Sequence, residues 1–258
     1  MLTVTPIKAS KQCNMFNLFD AITLALKESE KTLQNGDILV VSTKYVSYSQ
    51  GRRILLEDIQ CSQDGRILGK KYGLDENMAE VILRESDIVF GGVRGFVMAV
   101  CGKILAPNAG IDMSNSEGNV AILYPTDPHT VAEQLRRKIF LKWHVHVGII
   151  LSDSRLAPAR SGTTGVAISC SGISPTDDKR GTVDLDGRPL LVTVQATADN
   201  IATIANHTMG EGAESMPLTI VRDSKIAMTG KRSSIDDGTV PYEKCLYIRS
   251  IGSIQSTI

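Results

Sequence analysis

The chain lacks an excess of either charge, since Lys plus Arg and Asp plus Glu both total 28. No global field recruits nucleic acid or a membrane surface, and neither is expected as a partner. The one basic cluster, Arg136, Arg137 and Lys138, lies inside an amphipathic run and reads as a solvated helix face. No stretch approaches the roughly 18 uninterrupted apolar residues of a membrane span. The N-terminus also lacks the charged-then-apolar order of a secretion signal. Five cysteines (Cys13, Cys61, Cys101, Cys170, Cys245) are odd in number and widely spaced, with no C-x-x-C pair for zinc or redox work. Reduced thiols in a soluble cytoplasmic protein are the simplest reading. Internal repeats and low-complexity segments are absent. So are a Walker A pattern and a G-x-G-x-x-G after a strand, which removes the P-loop and Rossmann devices for nucleotide binding.

With 42% hydrophobic and 22% charged residues, the chain has enough apolar surface for one large core or two smaller ones. Helical and strand periodicities alternate, which predicts a mixed α/β or α+β class. Leu18, Ile22, Ala25, Leu26 and Leu33 share a helical face, and Asn35-Gly36-Asp37 marks a turn before the apolar run Ile38 to Val41. Asp127-Pro128 predicts an N-cap and first-turn proline opening a helix with Val131, Leu135 and Ile139 inward. A strand is expected over 145–151, then a serine- and glycine-rich loop through Gly165 and a polar surface stretch from Pro175 to Pro189. Leu190 to Ala198 reads as a strand, Asp199 as the cap of the next helix, and Met209 to Gly212 as its end before the strand Leu218 to Val221.

Three acidic residues fall where elements end. Asp112 sits among too many turn formers for a regular strand, and Asp153 follows a buried strand, where α/β proteins place ligand-binding groups. Glu211 lies between two glycines, which let backbone N–H groups approach an anion beside the carboxylate. Hard divalent cations such as Mg2+ and Mn2+ take oxygen ligands of this kind and bridge nucleotide phosphates. Each position has a plain structural alternative: a turn or cap aspartate, or a C-cap with an exposed acid. His144 and His146, alternating along an expected strand, can hold a transition metal or sit on a solvated face. Cys101 and Cys170 read as buried, unreactive thiols.

These segments occur together and in order. Asn108-Ala109-Gly110-Ile111-Asp112 with Ser114-Asn115 resembles the Asn-Ala-Gly-Ile-Asp-x-Ser-Asn signature of the coenzyme F420-0:γ-glutamyl ligase family, and Ser152-Asp153-Ser154 is similar to its Thr-Asp-Thr/Ser. Asp184-Leu185-x-Gly187-Arg188 with Leu190, and Met209-Gly210-Glu211-Gly212, follow in register, as do Ser42-Thr43-Lys44 and Gly51-Arg52. The resemblance implies a two-lobed, non-P-loop unit over 1–258, forming a homodimer and carrying no fused nitroreductase domain. It implies Asp112, Asp153 and Glu211 as ligands of Mg2+ or Mn2+, Ser154 as a further ligand, and K+ as an additional cation. Ser42, Thr43, Asn115, Met209, Gly210 and Gly212 would contact GTP, while Lys44 and Arg160 neutralise phosphoryl oxygens.

The activity this implies is GTP-dependent amide-bond formation between F420-0 and L-glutamate through an acyl phosphate. The three carboxylates are expected to converge in one pocket, where their mutual repulsion raises at least one pKa. Departures are also plain. Lys8 to Cys13 stands where the family opens with Gly-Leu-Pro, Tyr48 where it places a lysine, and Leu156-Ala157 where it carries Gly-Arg. A ligase with a different carboxylate acceptor, or a non-catalytic nucleotide-binding protein on the same scaffold, are the alternatives these departures permit.

Overall fold

The computed structural model describes residues 1–12, 14–114 and 118–254. The chain opens with β1 (Thr3–Ile7), α1 (Leu18–Glu28), β2 (Ile38–Ser42), α2 (Thr43–Ser49) and β3 (Arg53–Leu55). Next come α3 (Gln63–Tyr72), α4 (Glu76–Glu85), β4 (Ile88–Val93), β5 (Phe96–Cys101), β6 (Ile104–Pro107) and β7 (Val120–Ile122). It continues with α5 (Pro128–Trp143), β8 (Gly148–Leu156), β9 (Thr163–Ser171), β10 (Asp177–Asp178) and β11 (Val194–Gln195). The last elements are α6 (Thr197–Met209), β12 (Leu218–Arg222) and α7 (Leu246–Ile254). The class is mixed α/β, as the periodicities predict.

Five strands pair in the order β1-β12-β2-β8-β9. β2 and β8 run parallel, and every other neighbouring pair in this sheet is antiparallel. β2 is covered on both faces. Leu39 and Val41 meet Ile22 and Leu26 of α1 and Leu135 and Ile139 of α5, whereas Ile38 and Val40 meet Ile201, Ala202 and Ala205 of α6. A strand buried on both sides has no polar face, so its sequence is a continuous apolar run. α6 crosses β9 closely: a Cβ on Gly165 would stand 2.3 Å from the Ala202 carbonyl oxygen, so only glycine permits the approach. A third core joins Met78, Val81 and Ile82 of α4 to Val97 and Ala99 of β5, in the segment that carries the small sheet β4-β5-β6.

Several expected boundaries move. α1 stops at Glu28, so Leu33 joins the core from the following loop rather than from the helix. Asp127 has left-handed backbone and makes no side-chain cap, leaving Pro128 as the working start signal of α5. His144 ends α5 in left-handed backbone, and both His144 and His146 lie against the Phe140 ring instead of alternating on a strand. β9 already begins at Thr163, inside the expected loop. The expected strand from Leu190 to Ala198 shrinks to Val194–Gln195: Leu191, Val192 and Val194 are exposed, and Ala198 belongs to α6, where it is buried. Asp199 accepts the Ala167 N–H at 2.9 Å, so it ties α6 to β9 instead of capping its own helix.

α5 is fastened to the sheet by one buried carboxylate. Glu133 accepts from Arg136 Nε at 2.8 Å and from the Ser171 hydroxyl of β9 at 2.6 Å, with Arg137 adding a third donor and second cation. The Arg136 bond, more than any other contact, holds its carboxyl down at about 2, well below its ordinary value. A depressed folded pKa means that the stabilisation is present at neutral pH and lost as pH falls towards about 2. Glu133→Gln should therefore cost roughly 3 kcal/mol at pH 7 in urea unfolding, as expected when one partner of a buried pair is removed. That difference should vanish as both proteins are titrated through the acid range.

Candidate functional site

The parallel pairing of β2 with β8 sets Ser42 opposite Ser152, so both strands reach the same end of the sheet together. β2 passes directly into α2 at Thr43, whereas β8 continues through Asp153 to Leu156. Asp153 is therefore within the strand rather than at its end, as the sequence pattern suggested. Between Leu151 and Ser152 the pairing with β9 slips: Leu151 faces Ser169 and Ser152 faces Ala167. A bulge of this kind twists a strand locally and re-aims the side chains beyond it.

A cleft of about 890 Å3 opens at this point. Its walls include Ser42, Lys44, Asp112, Asp153, Ser154, Met209, Gly210, Glu211 and Gly212. Segments 9–12 and 107–114 close other sides, so the chain that stands where the resemblance expects Gly-Leu-Pro does reach the site. The Ser215 hydroxyl anchors that segment by donating to the Ala9 carbonyl at 2.7 Å. Tyr48 also lines the cleft, with the Arg53 guanidinium 5.4 Å from its ring centre. Thr43 stands behind the wall, buried, and its hydroxyl donates to Asp153 Oδ1 at 3.0 Å. Asn115 lies outside the described residues. Arg160 is exposed on the turn between β8 and β9 and is not among the lining residues; the cation beside Asp153 is Arg155.

The three expected carboxylates line one cleft but divide between two sides of β8, because successive residues on a strand point to opposite faces. Asp153 points towards Lys44 and Tyr124, whose hydroxyl is 3.5 Å away. Ser154 points towards α6 and donates to Glu211 Oε1 at 2.8 Å. Thr163 and Asn206 donate to that same oxygen at 3.0 and 2.9 Å. Across the cleft Asp112 is paired with Lys44, accepts the Ser114 N–H at 2.6 Å, and is pinned to β7 by its backbone exchange with Ile122. Among the described residues no group of three or more acidic, histidine or cysteine side chains is drawn together as a metal cluster. The donor set is nonetheless hard oxygen throughout, the type that Mg2+ and Mn2+ select.

Electrostatics set the two aspartates apart. For Asp112, burial favours the neutral acid, but Lys44 and the Ser114 donors outweigh it and hold the carboxyl below its ordinary value. Burial pushes Asp153 up to about 7, and the charge of Asp112 adds to this against the Thr43 hydrogen bond. Repulsion was the expected cause of a raised carboxylate, yet desolvation is the larger one. Cys101 is pushed up to about 11 by burial and Cys170 is raised for the same reason, so both are inert thiols at neutral pH.

Two residues that sequence reading passed over complete the site. Arg155, only 8% exposed, contacts Asp153 and lies over the Tyr124 ring at 5.2 Å. Tyr124 is held by the signature loop: a Cβ on Gly110 would fall 1.8 Å from its ring, and Gly110 itself has φ +71°. Alternation along the strand could have marked Arg155, since it is two residues beyond Asp153 and shares its face. Gly110→Ala should cost about 1 to 3 kcal/mol in thermal or urea unfolding, through the left-handed backbone and the displaced ring. An alanine variant as stable as the unmodified protein would show that Tyr124 is not fixed in this way.

Comparison with known proteins follows the same residues. The family described as F420-0:Gamma-glutamyl ligase matches residues 11–223. Coenzyme F420:L-glutamate ligase of Methanopyrus kandleri is 38% identical over 194 residues, covering 75% of this chain and 77% of the relative. Its counterpart from Archaeoglobus fulgidus is 35% identical over 210 residues, covering 81% and 84%. That from Methanothermobacter thermautotrophicus is 35% identical over 202 residues, covering 78% and 80%.

Proposed function

Because this chain belongs to the F420-0:gamma-glutamyl ligase family, we propose that it joins L-glutamate to F420-0 through an amide bond, with GTP as the activating co-substrate. The observation that carries this reading is the cleft itself, which gathers Asp112, Asp153, Ser154, Glu211 and Lys44 from separate segments of the chain. A carboxylate is a poor electrophile. Transfer of the γ-phosphoryl group of GTP to the acceptor's carboxylate breaks the β–γ bridge, releases GDP and forms an acyl phosphate. The α-amine of glutamate then attacks the acyl carbon, inorganic phosphate leaves, and the amine gives up a proton.

In this reading Asp112 and Asp153 on one side of β8, with Ser154 and Glu211 on the other, hold Mg2+ or Mn2+, and K+ is a further candidate cation. Such ions neutralise triphosphate charge and draw electron density from the transferring group. Lys44 supplies a point charge next to Asp112, and Ser42 with the Met209 to Gly212 turn lines the cleft where the nucleotide would lie. Asp112→Asn or Glu211→Gln should reduce product formation by at least a hundredfold while the protein still folds. The assay is incubation with F420-0, L-glutamate, GTP and Mn2+ or Mg2+, with mass detection of the product. If the unmodified protein adds nothing to F420-0 but glutamylates another carboxylic acid, the acceptor is different. The exposed Leu156 on the cleft wall, beside Ala157, favours that second reading.

The homodimer belongs to the same proposal. Between β10 and β11 the chain runs out with Leu185 at 107% and Val192 at 85% exposure, with Val183 and Leu191 also open. Apolar side chains gathered this way on a polar arm are the composition of a contact surface, and a second copy is the occupant we favour. Light scattering at micromolar concentration should give about twice the chain mass. Leu185→Asp with Val192→Asp should give the single-chain mass, and a single-chain mass for the unmodified protein would overturn the dimer.

A further inference from the structure

Arg155 leaves more than half of its N–H donors without a partner among the described residues. Nη1 contacts the Asp153 carboxylate and donates to the Ser154 carbonyl at 3.0 Å. Nε and Nη2, on the other edge of the same guanidinium, are buried and have no partner among the described residues. Those two nitrogens form the side-on fork, whose parallel N–H bonds match the two oxygens of a carboxylate or a phosphoryl group. Burial lowers the pKa of this arginine to about 10, so it stays a cation at neutral pH. A buried cation with two unmatched donors is a costly arrangement. The side chain is also part of the cleft wall, and the Tyr124 face beneath it restricts the directions in which the fork can turn.

We propose that Arg155 is an oxyanion-binding residue of this cleft, which exchanges Asp153 for a carboxylate or phosphoryl group of a bound substrate. Both fork nitrogens are shielded from solvent, so the exchange requires the guanidinium to turn away from Tyr124 towards the cleft. The fork then gains the partner it lacks, and the same movement frees Asp153. Only the identity of the substrates rests on the ligase reading; the binding of an oxyanion does not.

Two variants test this. Arg155→Met removes the charge at similar length, and Arg155→Lys keeps the charge without the planar fork. Calorimetric titration uses pyrophosphate, GTP and L-glutamate as separate probes. At least one should bind Arg155→Met tenfold or more weakly, with Arg155→Lys still at least threefold weaker than the unmodified protein. Loss on pyrophosphate and GTP assigns the fork to a phosphoryl group; loss on glutamate alone assigns it to a carboxylate. In turnover the KM for that substrate should rise tenfold while kcat changes less than threefold. If Arg155→Met fails to fold, Arg155→Lys decides.

Affinities within twofold of the unmodified protein for every probe would overturn the proposal. So would an equal loss on all three that follows the drop in melting temperature, or no binding of any probe to the unmodified protein. The two readings fail separately. Pyrophosphate binding that depends on Arg155, without glutamyl product, sinks the ligase and leaves this inference standing. Product formation with Arg155→Lys unchanged towards every probe does the reverse.

Discussion

The parallel pairing of β2 with β8 is the contact on which the rest of the molecule depends. It brings two strands that are far apart in sequence to one end of the sheet, Ser42 beside Ser152. From there one chain enters α2 and the other runs on as an extended ribbon. Everything polar in the cleft hangs from that divergence: Thr43 backs Asp153, Lys44 reaches Asp112, and Ser154 turns the other way to Glu211. The strands can pair so only because both their faces are covered by apolar helices, which excludes water from the backbone ladder.

A cleft that collects carboxylates must also answer for their charge. Here each aspartate has its own cation, Lys44 for Asp112 and Arg155 for Asp153, while the described partners of Glu211 are hydroxyl and amide donors. In the half-buried pair, burial works against the Asp112 carboxylate but Lys44 and the Ser114 donors outweigh it. In the buried pair, desolvation works against both members at once, which raises the acid and lowers the base. The fold thus keeps two chemically different carboxylates a short way apart.

Much of this was legible in the sequence, for reasons that can be stated. Ile38 to Val41 announced a doubly buried strand because such a strand has no polar alternation to hide it. Asp112 stood out for the turn formers around it and Glu211 for its flanking glycines, whereas Asp153, with Ser154 beside it, stood out because it follows a buried apolar run. Arg155 was missed because Asp153 was read as ending its strand; with the strand continued to Leu156, alternation puts Arg155 on the same face as Asp153. The division of the acids between two faces of β8 was equally hidden: it follows from strand parity at Asp153, and the sequence pattern placed that residue beyond the strand's end. The stretch 190–198 misled for the opposite reason: Leu191, Val192 and Val194 imitate a core strand but are exposed, and only Ala198, already in α6, reaches the core.

The sheet closes with its penultimate piece. β12 lies between β1 and β2, pairing Leu218 with both Ile7 and Val41. β1 precedes its neighbour β12 by nearly all the other elements of the sheet, so it is synthesised long before the strand it pairs with. Joining β1 and β2 to β12 therefore closes a very long loop, the kind of non-local contact whose entropic cost falls on the folding barrier. Until β12 docks, the apolar edge of β2 has unpaired backbone groups, the feature that edge-to-edge association exploits.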